Sequence, residues 1–268
     1  KYYRQPQIYI TLPSKGKYYP ADVFTPTETG EIPVLPMTAK DELSFKTPDA
    51  MISGQATVDV IKSCIPNLLD PWKMVNYDTD AILLAIRIAT YGETMNITYK
   101  VPTINEEMEH TVNLPAILEE FGKIDVVDTA STKKGFKFKV APLDYKSLTA
   151  VQVAQFEQQK IYVTVNNSAM TEDQKSKQFA KSFAVLNNIN FGMLVDSITE
   201  ITTPGGDTVT DKAQIKDFCE NCEASLVNEI QEELSKIRTQ AQTKPLKLKA
   251  TEEQIKKGAP ASYEVPVT

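Results

Sequence analysis

The apolar positions are densest between Asp78 and Gly92, where Ile82, Leu83, Leu84, Ala85, Ile86, Ile88 and Ala89 cover nearly the whole circumference of a helix. A helix apolar all round belongs inside a fold, with neighbours on every side. Asp78 or Thr79 is placed to cap its first turn, and Gly92 to take the left-handed turn that ends it. The segment is too short to cross a bilayer. Arg87 is the one charge in its middle. A buried guanidinium must be paired, so a structural ion pair is expected, with Asp41, Glu42 and Asp59 as the candidate acids.

Before this helix the pattern is of short pieces. Ile8 to Leu12 alternates as a strand does, and Pro13 to Lys17 is turn chemistry. Ile32 to Met37 reads as an edge strand, because Pro33 and Pro36 cannot donate to a central ladder. Thr38 to Leu43 reads as a short helix with acid in its first turn. Thr47-Pro48 opens a helix expected to run to about Cys64, and Asp70-Pro71 repeats that start signal just before Trp72, which is expected to cover the core.

After Gly92 the period shortens. Asn96 to Val101 and Glu109 to Leu114 predict a hairpin with its loop near Asn105, followed by a short helix from Pro115 to Phe121. Gly135 to Val140 alternates, one face apolar and one basic. From Asp144 the chain reads as helical. Val151, Ala154, Ile161 and Val165 share a stripe, and Thr171-x-x-Gln174 is a capping box before Phe179, Phe183 and Leu186. Leu194, Ile198 and Ile201 suggest a third helix stopped by Pro204-Gly205-Gly206. A fourth, over residues 211–238, carries Ile215, Phe218, Cys222, Leu226, Ile230, Leu234 and Ile237 as its buried stripe. Leu246 to Ala250 and Tyr263 to Val267 are strand-like. The fold class is therefore α+β: a β-rich N-terminal domain (1–142) around the central helix, a helical domain (143–240), and an extended tail with a returning strand (241–268).

Composition narrows the chemistry. Hydrophobic content of 41% and charged content of 24% over 268 residues are those of a globular chain. A net charge of −6 argues against a broad nucleic-acid surface, and no apolar run is long enough for membrane insertion. No secretory signal is visible, and a chain opening on Lys1 leaves room for a natural N-terminus upstream. Three cysteines make no disulfide framework and fit a reducing site of synthesis. A single histidine, His110, limits acid–base, metal and triad chemistry severely.

Each candidate motif has a plainer reading. Cys219-x-x-Cys222 lacks two further zinc ligands, since the chain offers only Cys64 and His110, and its spacing suits an apolar helix stripe. Gly205-Gly206 has no following Gly-Lys-Ser/Thr and reads as a turn between helices. His110 has Glu107 and Glu109 beside it but no nucleophile, and reads as an exposed strand residue. The basic face of Lys133, Lys134, Lys137 and Lys139 is either a solvated strand face or a contact for an acidic neighbour. No catalytic residue, metal ligand or cofactor is expected.

Several stretches in this order resemble the baseplate hub proteins of T-even-type contractile-tailed phages. They are Leu12-Pro13-Ser14-x-Gly16-Lys17-x-Tyr19-Pro20, Val34-x-Pro36-Met37-Thr38-x-Lys40-Asp41-Glu42, Lys62-Ser63-Cys64 and the Asp80–Gly92 helix. The resemblance implies a structural or assembly component of the virion tail baseplate, made in the host cytoplasm. Its implied partners are other baseplate and hub subunits, with tail tube and wedge proteins as further candidates. An assembly chaperone absent from the finished virion is the alternative, and a hydrolytic enzyme a remote one. Relatives often carry Cys-x-x-Cys knuckles in hairpins similar to residues 97–114 and 246–268. Here those places read Val101-Pro102-Thr103-Ile104 and Ala250-Thr251-Glu252-Glu253. A subunit of such a hub must leave adhesive elements uncovered. The ends are the expected ones, with Tyr2, Tyr3, Ile8 and Ile10 at the start and Leu246, Leu248, Tyr263 and Val265 at the close.

Overall fold

A computed structural model describes residues 3–47, 52–125, 127–166, 169–240 and 244–266. Strand β1 (Ile8–Ile10) pairs antiparallel with β2 (Ile32–Val34), Tyr9 facing Pro33, which needs no donor on this two-stranded edge. Helix α1 (Ala39–Phe45) starts at Thr38 with a full capping box. Helix α2 (Gln55–Cys64) starts from an N-cap at Gly54, after a turn that separates it from the helical Ile52. That glycine has φ of 74°, and a Cβ on it would meet Thr149 at 3.0 Å, so both conformation and space require glycine there. Residues 48–51 of the expected start lie outside the described residues.

The Asp70-Pro71 signal gives a 3-10 turn, Pro71–Lys73, whose Trp72 stacks on Tyr145 at 5.7 Å. Helix α3 (Asn76–Tyr91) follows, with Ala81, Ile82, Ala85, Ile86 and Ile88 all buried. It ends at Gly92 with φ of 94°. Around it close Ile10, Leu12, Ile32, Val34, Val60, Ile61, Ile65 and Met74, which form the first core. The capping expectation is corrected: the N-cap is Val75, and Asp78 and Thr79 lie inside the helix. The carboxylate of Asp78 is occupied elsewhere, as described below.

Strands β3 (Thr94–Lys100) and β4 (Glu107–Asn113) form the expected hairpin, and helix α4 (Leu114–Gly122) is capped by Asn113. Strands β5 (Thr129–Ser131) and β6 (Lys137–Val140) then pair not backward but forward, with β7 (Ile198–Thr202) and β8 (Thr208–Val209), in one antiparallel sheet ordered β5-β6-β7-β8. This sheet spans the boundary expected at 142/143. It also corrects the third helix. Ile198 and Ile201 are strand residues, and Pro204-Gly205-Gly206 lies in the β7–β8 hairpin turn rather than between helices. An i, i+3 pair of isoleucines fits a helix and not a regular strand; the register shift between Lys139 and Val140, which pair with Glu200 and Ile198, puts both isoleucines on the buried face.

Between β6 and β7 run two long helices, α5 (Tyr145–Asn166) and α6 (Glu172–Ser197). The Thr171–Gln174 capping box is present. The expected helix over residues 211–238 is two, α7 (Lys212–Asn221), capped by Asp211, and α8 (Ala224–Gln240), with Cys222 and Glu223 at the break. Both pack on the sheet, giving a second core of Phe138, Val140, Leu194, Ile198, Ile201, Ile215, Leu226, Ile230 and Leu234. Finally β9 (Leu246–Lys249) and β10 (Ser262–Val265), joined through helix α9 (Glu252–Lys256), return to the β3–β4 hairpin. The architecture is the expected α+β.

Candidate interaction surfaces

The stretches that carry the family resemblance converge on two polar networks inside the first core. Asp78, fully buried, accepts hydrogen bonds from the Ser14 amide (2.8 Å), the Ser14 hydroxyl and the Tyr19 hydroxyl (2.6 Å). The Val75 amide in turn donates to the Tyr19 oxygen at 3.0 Å. Gly16, with φ of 75° and the Phe24 ring 3.3 Å from where a Cβ would stand, lets the loop turn tightly enough to deliver both groups. Burial pushes the Asp78 carboxyl above the ordinary Asp range, against the pull of those donors.

The second network is built on Asp41. Its carboxylate accepts from the Thr38 amide (2.7 Å), the Thr38 hydroxyl (2.8 Å) and the Ser63 hydroxyl (2.9 Å), and lies 3.5 Å from Arg4. Burial alone would raise its pKa, but these donors and the Arg4 charge outweigh it and hold the group below the ordinary range. Arg4 also donates to the Pro36 carbonyl (2.8 Å) and the Ser63 carbonyl (3.0 Å). The Met37 amide donates to Thr90 of α3 at 2.9 Å, which ties this network to the central helix.

The cation paired with Asp41 is thus Arg4, not Arg87. Among the described residues Arg87 has no carboxylate within 4 Å, and its Nε is buried without a hydrogen bond. Its guanidinium lies over the Tyr91 ring, 5.3 Å from the centroid. The expected ion pair with Asp41, Glu42 or Asp59 is corrected accordingly.

The two ends are better covered than their sequence suggests. Ile10 is buried in the first core and Ile8 packs against it. Tyr3 and Tyr9 are 89% and 60% exposed, and Tyr2 lies outside the described residues. At the other end Tyr263 and Val265 are buried, Leu248 packs with them, and Leu246 joins Ile88, Val112 and Leu114. The Tyr263 and Tyr99 hydroxyls meet at 3.1 Å, and Lys257 reaches Glu106 at 3.0 Å. The expectation that the tail lacks burial of its own is therefore corrected. The loops where the resemblance places cysteine knuckles meet here: Val101 is fully buried, and Ile104 and Ala250 pack against the same cluster. Apolar contact joins the hairpins at that point.

Burial raises the Cys64 and Cys219 thiols to about 11 and raises Cys222 as well, which disfavours the thiolate at each. Cys219 sits in the second core beside Ile215. Among the described residues no group of three or more His, Cys, Asp or Glu side chains could hold a metal ion. His110 is half-buried, opposite Ile97 in the hairpin. The basic face is partly engaged within the chain: the Lys133 amide donates to Glu229 at 2.7 Å and Lys134 pairs with Glu223, while Lys137 and Lys139 face outward.

Sequence reasoning missed an uncovered apolar surface, that of the α5–α6 arm. Along α5 only Thr149 and Val165 are buried, and along α6 the buried residues Leu194, Val195 and Ser197 all lie at its end. Phe156, Tyr162, Val163, Met170, Phe183 and Val185 are exposed, Phe183 by 62%. A groove of about 360 Å³ runs between the helices, with Tyr162 and Phe179 in ring contact at 4.9 Å on its floor and Phe183 and Leu186 along its wall. The signal was in the sequence, since apolar residues in these helices spread over more than one stripe.

Comparison with known proteins supplies the family. The family model of the T4 bacteriophage base plate protein matches residues 5–257. The chain belongs to that family. Membership supports a structural role in a phage baseplate, implies contacts with other baseplate proteins and a place in the virion tail, and suggests a non-enzyme. No curated protein and no solved structure gives a significant match. Among the described residues no helix is long and apolar enough to cross a membrane.

Proposed function

We propose that this chain is a subunit of the baseplate hub, or an adaptor beside it, acting through protein–protein contacts and having no active site. The observation that carries this reading is the apolar surface left uncovered on a base plate family member, on the arm and at Tyr3 and Tyr9. Exposed aromatics of this kind are the usual anchors of protein interfaces. The two buried polar networks make the N-terminal body a rigid platform from which those groups project. Tyr3 and Tyr9 are the N-terminal anchors, held out by Arg4 and the β1–β2 pair.

The test is quantitative mass spectrometry of purified virions, with tails assembled from wild-type chain and from a Tyr3→Ser/Tyr9→Ser variant. A fixed copy number, reduced in the variant, is expected. A chain required for assembly yet missing from the virion would replace this reading with that of a hub assembly chaperone.

A further inference from the structure

The arm groove and the trough that continues it define their occupant. Its walls are Gln155, Gln158, Gln159 and Tyr162 on α5, and Phe179, Ser182, Phe183, Leu186 and Asn190 on α6, with no ionisable carboxylate or amine among them. The α6 wall repeats at i, i+3 or i+4 and i+7, the period that seats another helix. Toward the base of the arm a second hollow shares Gln155 and Asn190, runs over Met193, Leu194 and Leu234, and ends at Arg238. Arg238 bonds Ser197 at 3.2 Å and, among the described residues, has no carboxylate within 4 Å.

An occupant must therefore be a helix that is uncharged along its middle, because a charge there would be desolvated without a partner. It must also bring an anion to the Arg238 end. Helix α6 itself has these properties. From Ser182 to Val195 it carries no charged residue, and its first turn holds Glu172 and Asp173, both well exposed and paired only with Lys175 (3.5 Å) and Lys177 (2.7 Å) of the same helix, surface pairs that a partner's guanidinium can replace. When two α6 helices run antiparallel with Glu172 of one at the Ser197 level of the other, their midpoint falls between residues 184 and 185. Phe183, the most exposed apolar side chain of the groove, then flanks that midpoint with Leu186.

We propose that two copies of this chain dock arm to arm, antiparallel, forming a four-helix bundle about a two-fold axis between residues 184 and 185. Each Arg238 receives the acidic first turn of the other copy's α6. The interface is isologous, so one patch serves both sides. The inference stands on arm geometry and charge alone and does not depend on the hub reading.

The experiment is sedimentation velocity on the full chain across a concentration series. Wild-type protein should sediment at twice its 29.9 kDa mass. Phe183→Glu, which puts a carboxylate beside the axis, should weaken association by about 100-fold or more. Reversing the end charges supplies the register test. Glu172→Arg/Asp173→Arg and Arg238→Glu should each weaken the dimer by about 5-fold, and the combined variant should recover it. Helicity by circular dichroism confirms that the arm remains folded. A wild-type monomer at the highest attainable concentration overturns the proposal, as does an arm that binds only a different baseplate protein. A dimer indifferent to Phe183→Glu, or one that the combined reversal fails to restore, overturns it too.

Discussion

Helix α3 and the uncharged Ser182–Val195 stretch of α6 are both rich in apolar side chains, yet one is enclosed by its own chain and the other is not. Around α3 the chain supplies strands β1 and β2, helices α2, α4 and α5, and two polar networks, and its apolar side chains are buried on most sides. Along α6 the chain supplies α5 on one flank, and only the C-terminal end, at Phe191, Leu194 and Val195, also reaches α7 and the sheet. Apolar content states that a surface will be covered, but not by whom. That depends on how many elements the chain can bring to it. The largest predicted contrast follows. Ile86→Asp, at a site 2% exposed, should cost more than about 4 kcal/mol and abolish soluble expression, because it buries an unpaired carboxylate. Phe183→Asp should alter the thermal stability of the dilute monomer by less than about 0.5 kcal/mol, as surface substitutions do. Equal destabilisation by the two would mean that the arm is packed in the free protein.

The two carboxylates of the first core sharpen the same contrast on a smaller scale. Asp78→Ala should cost about 3 kcal/mol in chemical unfolding, because it strands the Ser14 amide, the Ser14 hydroxyl and the Tyr19 hydroxyl in a dry site. Its pH signature should also differ from that of Asp41. Burial raises the Asp78 pKa in the folded chain, so its stabilising share is full below the unfolded value and declines as pH rises through the folded one. Asp41 is held low by its donors and Arg4, so its share is present above the unfolded value and is lost as pH falls through the folded one. Urea unfolding between about pH 3 and pH 7 should show Asp78→Asn removing a loss of stability with rising pH and Asp41→Asn removing a gain. Parallel profiles for the two variants would contradict the assignment.

Arg4 comes next. Its side chain is 28% exposed, so solvent screens its charge, and its main contribution is the hydrogen bonding that fastens the N-terminal segment to Pro36 and Ser63. Arg4→Ala should cost about 1–2 kcal/mol and speed proteolysis ahead of β1. Unchanged protease resistance would show that the segment is held by β1–β2 pairing alone.

What was legible in the sequence follows from the range of the forces involved. The short helix after Thr38, the capping box at Thr171, the hairpin around Asn105 and the burial of Ile82, Ala85, Ile86 and Ile88 are set by neighbours within a few residues, and each stands where the pattern puts it. The pairing of β6 with β7 links Lys139 to Glu200 across the whole arm, and nothing local to either strand announces it. The same holds for Asp78, whose place at the start of an apolar helix looks like a cap, although its partners lie some sixty residues earlier at Ser14 and Tyr19. The arm escaped notice for a different reason. Its residues satisfy a helix period, and whether the chain holds enough further elements to cover them is not a local property.

Arg87 carries the smallest predicted effect and tests the rule that placed it. The sequence argument was that a cation inside an apolar helix must own an acid. The helix instead leaves the guanidinium half-buried at the edge of the core, lying over Tyr91, which is 49% exposed. The aliphatic stem lies along the helix and only the head needs solvent, as long basic side chains often arrange. Arg87→Met keeps the stem and removes one buried Nε that has no partner among the described residues. A cation over an exposed ring contributes about 0.5–1 kcal/mol, and relief of the unsatisfied Nε offsets it, so the net change should lie within about 0.5 kcal/mol. Arg87→Ala, which loses the stem as well, should cost about 1 kcal/mol more than Arg87→Met. A loss above about 3 kcal/mol for Arg87→Met would instead mean that a carboxylate left uncompensated in the core was its partner all along.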